Sequence, residues 1–273
     1  MTPTAHFIRL GRLSVHYLAW GQPDRPPLIL LHGGAAHAHW WDHIAPVLSQ
    51  RYRVLAPDLR GHGDTDWADP GAYEIDDYVS DLHDLSVALN LDRPILLGHS
   101  LGGFIALAYT LSQRSRPRAL IVVDMRARLT DSRFMRLVRA LPAPSYRDEA
   151  ELLRRFRLLP ADSRPQPELF RAIARHSVRL APDGRLRLKS DRAALRRAPV
   201  DLGPRLSDLG CPCLFVRGQD STTLSARGLA EMRAGCPDAS AADIPGAGHH
   251  VFLDQPAAFV AVVQKFLDER LRT

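Results

Sequence analysis

The stretch PILLGHSLGGFIALA, residues 94–108, constrains the fold of this chain more than any other part of the sequence. Apolar residues lead directly into a Gly-x-Ser-x-Gly motif, and an apolar pattern resumes immediately after it. Glycine on both sides of Ser100 predicts a sharp strand-to-helix turn in which the two backbones approach too closely for side chains. In such a turn Ser100 projects from the strand end as a nucleophile. The alternative interpretation is a glycine-rich loop that contains an incidental serine.

Short apolar runs alternate with helical patterns along most of the chain. The runs are typical of parallel strands covered on both faces, and alternating apolar residues near the N-terminus predict an antiparallel hairpin. The runs occupy residues 28–31, 53–56, 95–97, 119–123 and 213–216, with a possible sixth at 241–244. Helical patterns occupy residues 41–50, 75–89, 101–113 and 256–271. This alternation predicts an α/β protein with a doubly wound, mostly parallel sheet.

Residues 126–205 interrupt the alternation. They contain 20 arginines and lysines against 9 acidic residues, many prolines, and helical patterns at 147–159 and 167–180, without a well-formed buried strand pattern. We expect this segment to be a helical cap inserted between strands of the sheet. The core domain would then comprise residues 1–125 and 206–273.

Composition argues against several classes of protein. The net charge is +6 in 273 residues, but the basic excess lies in the proposed cap and consists almost entirely of arginine. Such a local excess favours a surface or pocket feature of that segment over nucleic-acid binding. No apolar stretch is long enough for a membrane span, and no secretory signal is visible, so we expect a cytoplasmic protein without membrane attachment. Three cysteines indicate no structural disulfide, and Cys211 and Cys213 lack a second ligand pair for a metal.

The segment LILLHGGAAHAHWW supplies a candidate oxyanion hole. An acyl-transfer enzyme needs two backbone N–H groups directed at the oxyanion that develops in the reaction. The residue after the nucleophile, Leu101, would donate one, and the loop after the strand at 28–31 would donate the other from Gly34. His32 in the same loop is interpreted as a residue that fixes the loop by hydrogen bonding, rather than as the catalytic base.

The segment IPGAGHHVFLDQPAAF supplies a candidate general base. Histidine titrates near neutral pH, which suits it to accept and return a proton during catalysis. His249 lies in a glycine-rich loop just before the last predicted helix and is the predicted base. His250 is the rival, with pocket shaping or packing as its expected role.

Five segments together resemble the α/β-hydrolase superfamily, in particular capped bacterial esterases and lactonases. These segments are LLHGG, VLAPDLRGHGDTD, ILLGHSLGG, ALIVVD and GAGHHVFLDQPAAFV. The resemblance covers residues of about 6–125 and 205–271 and leaves the cap without a matching motif. It implies a serine hydrolase that cleaves a small ester or lactone through an acyl-enzyme with a Ser-His-Asp triad and no cofactor. The order Ser100 before His249 agrees with that family.

The sequence leaves two candidates for the acid of the triad. The family's usual acid position, three residues after Gly218, holds Ser221 here, and Asp220 lies one residue too early. Some relatives instead take the acid from the end of the strand next to the nucleophile strand, where this chain has Asp124. We favour Asp124 and keep Asp220 as the alternative.

Several residues near Ser100 are candidates for substrate binding. Gly33 and His99 flank the predicted oxyanion hole and nucleophile, and Trp40 and Trp41 could form an apolar wall, although aromatic residues of this kind often belong to the core. The cap arginines could bind an acidic substrate, with a solvated helix surface as the alternative. A C–C bond hydrolase, or a receptor or cyclase on the same scaffold, is the competing function. We expect a monomer or homodimer.

Overall fold

A computed structural model describes residues 2–69, 71–114, 116–130, 136, 138 and 140–271. Its strands are β1 Thr4–Leu10, β2 Leu13–Trp20, β3 Pro27–Leu31, β4 Arg53–Pro57, β5 Ile95–His99, β6 Leu120–Val123, β7 Arg128–Leu129, β8 Ser145–Tyr146, β9 Val178–Leu180, β10 Leu186–Leu188, β11 Val200–Asp201, β12 Cys213–Gly218 and β13 Ser240–Ile244. The α-helices with described bounds are α1 Ala45–Leu48, α2 Ile75–Ala88, α3 Leu101–Leu111, α4 Glu149–Arg155, α5 Pro167–His176, α6 Ala226–Gly235, α7 Val251–Asp254 and α8 Pro256–Arg270. Short 3-10 helices cover Ala38–Trp41, Arg192–Leu195 and Gly203–Asp208.

The predicted α/β architecture is confirmed. Eight strands form one sheet in the order β1-β2-β4-β3-β5-β6-β12-β13. β1 and β2 form the expected antiparallel hairpin, β2 pairs antiparallel with β4, and every remaining pair in the sheet is parallel. The carboxyl ends of β3, β5, β6 and β12 therefore meet at one edge, which is where ligands bind in open α/β sheets.

The apolar runs form strands because both faces of the sheet are covered. Leu28 and Leu30 of β3 pack into one hydrophobic cluster, whereas Ile29 and Leu31 pack into a second cluster on the other face. All four side chains are almost completely buried. Alternate residues of a strand point to opposite faces, so a continuous apolar run matches a strand with two dry faces.

The helix predicted at residues 41–50 is shorter in the structure. A 3-10 turn ends at Trp41, and α1 forms a single helical turn that begins at Ala45 with Pro46 in its first turn. Proline cannot donate a backbone hydrogen bond and crowds the preceding turn, so it is accommodated at a helix start and not in the middle. The helix predicted at 256–271 closely matches α8.

The segment 126–205, hereafter the insertion, connects β6 to the region before β12 and differs from the helical prediction. It contains the helices α4 and α5, but also a three-stranded sheet in the order β8-β10-β9 and a β7-β11 pair. β9 and β10 form a hairpin, and Gly184 in their turn has a φ of +76°. In the sequence, Asp183-Gly184 lies between two stretches in which leucine and arginine alternate, and this pattern predicts a hairpin.

No helix in the described part of the chain is both long and apolar enough to cross a bilayer.

The glycines of the nucleophile motif generate a stability prediction. A Cβ at residue 102 would lie 2.3 Å from the Leu31 carbonyl oxygen, whereas a Cβ at Gly71 would meet nothing within 4 Å. We expect Gly102→Ala to lower the free energy of unfolding by about 3 kcal/mol, the upper range for overpacking, as measured by urea denaturation. Gly71→Ala is the control, and equal stability of the two variants would contradict the close approach of β3 and α3.

Candidate active site

Ser100 occupies a sharp turn between β5 and α3. Its φ of +52° and ψ of −116° lie in a region that non-glycine residues rarely adopt, and α3 begins at the next residue. The backbone N–H of Ser100 donates to the Val123 carbonyl at 2.9 Å, which fixes the turn against the end of β6. A Cβ on Gly98 would lie 2.3 Å from the Gly102 carbonyl oxygen, so the turn closes only with glycine there. Strain held in this way by the surrounding structure is common at catalytic nucleophiles.

His249 and Asp124 form a buried pair beside this turn. The His249 Nδ1–H donates to Asp124 Oδ2 at 2.7 Å, and both side chains are almost fully excluded from solvent. Because an ionised carboxylate can only accept, Nδ1 carries the proton and Nε2 keeps its lone pair. This tautomer is the one a general base requires.

The Asp124 carboxylate accepts hydrogen bonds from three residues on two segments of the chain. Besides His249, the Gly218 N–H donates to Oδ1 at 3.1 Å, and the Ser221 hydroxyl donates to Oδ2 at 2.5 Å. Asp124 itself has a φ of +49°, and its N–H donates to the Val216 carbonyl at 2.8 Å. Hydrogen bonds to a carboxylate stabilise its charged form, which offsets the cost of burying it.

The alternative acid, Asp220, does not reach the histidine ring. Asp220 is exposed, and its backbone N–H donates to the Ala247 carbonyl at 2.9 Å. Ser221, at the family's usual acid position, points instead to Asp124. The structure thus brings Asp124, and not Asp220, together with His249.

The loop after β3 lies against the nucleophile turn. A Cβ on Gly33 would lie 3.4 Å from the Ser100 Cβ, and one on Gly34 would lie 4.0 Å from a Leu101 methyl group. His32 fixes this loop, because its Nδ1–H donates to the Gly33 carbonyl at 2.7 Å and its Nε2 accepts from the Leu59 N–H at 3.0 Å. Burial lowers the pKa of His32, so this neutral hydrogen-bonding state persists near neutral pH.

Two further histidines pack around His249. The His99 Nε2–H donates to the His249 carbonyl at 3.0 Å, and the His250 ring lies 4.9 Å from the His249 ring. Burial, together with neighbouring histidines, lowers the pKa of His99 well below its usual value and the pKa of His250 to about 3. Both rings are therefore neutral at physiological pH.

The two tryptophans occupy different environments. Trp40 meets His250 edge to face, with ring centroids 5.0 Å apart. Trp41 is fully buried and stacks on Phe252 at 4.2 Å, within the hydrophobic core. Trp40 is therefore the one of the pair that contacts the histidine cluster.

Two polar residues near the site were not identified from the sequence. Ser221 binds Asp124, and the Asp162 carboxylate of the insertion accepts from the His249 backbone N–H at 3.2 Å. The position of Ser221 in the family pattern was a usable signal. Asp162 has no local motif, because its partners are far away in the sequence.

Some side chains of the site could also hold a metal. Donor atoms of His99, His249 and His250 all lie within 4.8 Å of one another, as do those of the half-buried residues His39, Asp42 and His176. A metal bound to the first set would occupy a ring nitrogen of His249. Burial raises the pKa of Cys211 to about 11 and raises the pKa of Cys213 well above its usual value, so neither thiol ionises readily as a ligand.

Comparison with known proteins finds relatives that align with nearly the whole chain. The 2-(acetamidomethylene)succinate hydrolase of Mesorhizobium japonicum is 29% identical over 277 residues, which cover 96% of each chain. The 3-hydroxybutyrate-oligomer hydrolase of Cupriavidus necator is 28% identical over 94% of this chain and 93% of the relative. The crystal structure of E-2-(acetamidomethylene)succinate hydrolase matches with a TM-score of 0.86 and 25% identity, over 97% of this chain and 99% of the other.

A family model matches most of the same region. It is described as the alpha/beta hydrolase family, and it covers residues 28–262. That range includes β3 except its first residue, every later strand through β13, the Ser100 turn, the Asp124–His249 pair and the whole insertion. The relatives above are hydrolases of comparable length. The chain belongs to the alpha/beta hydrolase family.

Proposed function

We propose that this protein is a serine hydrolase that cleaves a carboxylic ester or lactone through an acyl-enzyme intermediate. The observation that supports this most is the 2.7 Å hydrogen bond between His249 Nδ1 and Asp124, next to a serine held in a strained turn. A serine at the elbow is the nucleophile of acyl transfer. The relatives named as hydrolases agree with a hydrolytic reaction.

In the acylation step, Ser100 Oγ attacks the substrate carbonyl carbon while its proton passes to His249 Nε2. The carbonyl oxygen becomes an oxyanion, which accepts hydrogen bonds from the backbone N–H groups of Gly34 and Leu101. Asp124 stabilises the imidazolium that forms, because its charge and its hydrogen bond to Nδ1 both favour the protonated ring. His249 then gives the proton to the leaving alkoxide, and the carbon–oxygen bond breaks.

In the deacylation step, water replaces the alcohol and the same groups act again. His249 Nε2 takes a proton from water, the hydroxide attacks the acyl carbonyl, and the second oxyanion forms in the same hole. When this intermediate collapses, Ser100 leaves and receives its proton back from the imidazolium. For a lactone substrate, the product is a hydroxy acid.

We expect the acyl group to lie beside neutral side chains. His99 and His250 are both neutral, and His250 packs on Trp40, so these three side chains add no charge to the site. Gly33 would let the loop after β3 pack closely on His99, because a Cβ there would lie 2.9 Å from His99 Nδ1, and the buried Trp41 would support the wall from the core.

The insertion would act as the cap over this site. Its helix α5 and the residue after it reach the loop that follows β3, where His37 Nε2 hydrogen-bonds Ser177 Oγ at 3.0 Å. The His37 ring also lies 6.2 Å from the ring of His176, the last residue of α5. Such contacts would let the cap define the size of the acyl group that enters.

The nucleophile can be tested with p-nitrophenyl acetate and a fluorophosphonate. We expect the wild type to give a burst of p-nitrophenol equal to the enzyme concentration, and to be labelled covalently. Ser100→Ala should lose both signals while keeping the wild-type circular dichroism spectrum. Without burst or labelling in the wild type, a binding or biosynthetic role on this scaffold would replace the proposal.

The acid can be tested by comparing two aspartate variants. Asp124→Asn should lower kcat by about 10⁴-fold, because an amide can hold His249 in the wrong tautomer and cannot stabilise the imidazolium. Asp220→Asn is the matched control and should change kcat less than about 2-fold, since exposed side chains away from the site have small effects. Steady-state ester hydrolysis measures both, and a large loss only in the Asp220 variant would reverse the assignment.

A further inference from the structure

The carboxylate of Asp162, a residue of the insertion, holds the loop that carries His249. Asp162 Oδ1 accepts from the His249 backbone N–H at 3.2 Å. Asp162 Oδ2 accepts from the Thr222 N–H at 2.8 Å and from the Thr222 hydroxyl at 2.6 Å. Asp162 thus joins three separate parts of the chain, namely the insertion, the histidine loop and the turn after β12.

The neighbours of Asp162 extend this contact along the loop. Ser163 Oγ accepts from the His250 backbone N–H at 2.8 Å. The Asp254 carboxylate accepts from the Arg164 N–H at 2.6 Å and from the Gly248 N–H at 2.8 Å. Consecutive residues of the insertion therefore bind to consecutive residues of the histidine loop, directly or through Asp254.

The two backbones are in van der Waals contact at this point. A Cβ on Gly248 would lie 2.3 Å from the Asp162 carbonyl oxygen, a distance that no side chain can adopt. Glycine at residue 248 is therefore needed for the insertion to approach the loop. The insertion therefore contacts the histidine loop in two ways: through hydrogen bonds and through a close backbone approach that only glycine at residue 248 permits.

Asp162 is also an electrostatic neighbour of the base. Burial would raise the pKa of Asp162, but hydrogen bonds from Thr222 and His249 outweigh burial and lower it, so the carboxylate is ionised at neutral pH. The titratable groups around the His249 ring are Asp124, His99, His250 and Asp162. Since both other histidines are neutral, neither of them offsets the negative charge of Asp162.

We propose that Asp162 is a positioning residue for the general base: it holds the His249 backbone so that the ring meets Asp124 and leaves Nε2 available to Ser100. This role rests on the proposed serine hydrolase function. Asp162 touches neither substrate nor reacting atoms; it acts through the His249 N–H. The insertion would then contribute to the catalytic step as well as to substrate selection.

Asp162→Ala tests this role in the full-length protein. We expect kcat to fall about 10- to 100-fold with KM changed less than about 3-fold, because a displaced base affects the chemical step more than binding. The acid limb of the kcat/KM profile should move to lower pH, because removal of a nearby negative charge disfavours the protonated imidazole. Asp162→Asn, which keeps one acceptor oxygen, should lose less kcat but show the same movement of the limb.

The matched control is Asp148→Ala. Asp148 lies in the same insertion and caps α4 by accepting from the Glu151 N–H at 2.7 Å, so its loss should lower thermal stability and leave kcat and the pH profile unchanged. If Asp162→Ala behaves like this control, with altered melting but wild-type kcat and acid limb, the positioning role is overturned.

A second readout separates this proposal from the proposed function. The low-field proton NMR signal of His249 Nδ1–H reports the hydrogen bond to Asp124 without any substrate. It should broaden or shift in Asp162→Ala and stay unchanged in Asp148→Ala. If the wild type fails to react with fluorophosphonate, the proposed function fails, and the NMR comparison still decides whether Asp162 positions His249. An unchanged signal in both variants would reject the positioning role.

Discussion

The buried Asp124 carboxylate is the group on which the arrangement of the site depends. It accepts hydrogen bonds from Gly218, Ser221 and His249, which belong to the end of β12, the turn after it and the loop before α7. A buried negative charge without such donors would be costly, so each donor segment is held in place by the need to satisfy it. One carboxylate therefore joins the end of β6 to the end of β12 with its following turn and to the loop that carries His249.

The Ser100 turn imposes a complementary steric constraint. Gly98 and Gly102 let α3 approach β3 and β5, and this approach directs Ser100 toward the same edge of the sheet. The two constraints differ in kind, because one is a packing limit and the other is a hydrogen-bonding requirement. They converge because Ser100 and Asp124 end adjacent parallel strands, β5 and β6.

Local patterns predicted the parts of the structure that depend on neighbouring residues. The strands of the sheet, α8 and the nucleophile turn follow from apolar runs and from glycine, and the structure agrees with them. The choice between Asp124 and Asp220 stayed open because it depends on how the turn holding Ser221 folds onto a distant strand. Asp162 could not be predicted, since its partners His249 and Thr222 are distant in sequence. The short strands of the insertion were missed because they are only partly buried.

The location of Asp124 has a consequence for how the site responds to heat. The Ser100 N–H donates to the Val123 carbonyl, and the Asp124 N–H donates to the Val216 carbonyl, so Ser100 and Asp124 are both joined to the central sheet by backbone hydrogen bonds. His249 lies on a loop whose backbone depends on contacts with the insertion. Core strands open only with global unfolding, whereas loops open locally at lower free energy. Warming should therefore separate His249 from Ser100 and Asp124 while the sheet is still intact, and the proposed hydrolase activity should be lost before the sheet melts.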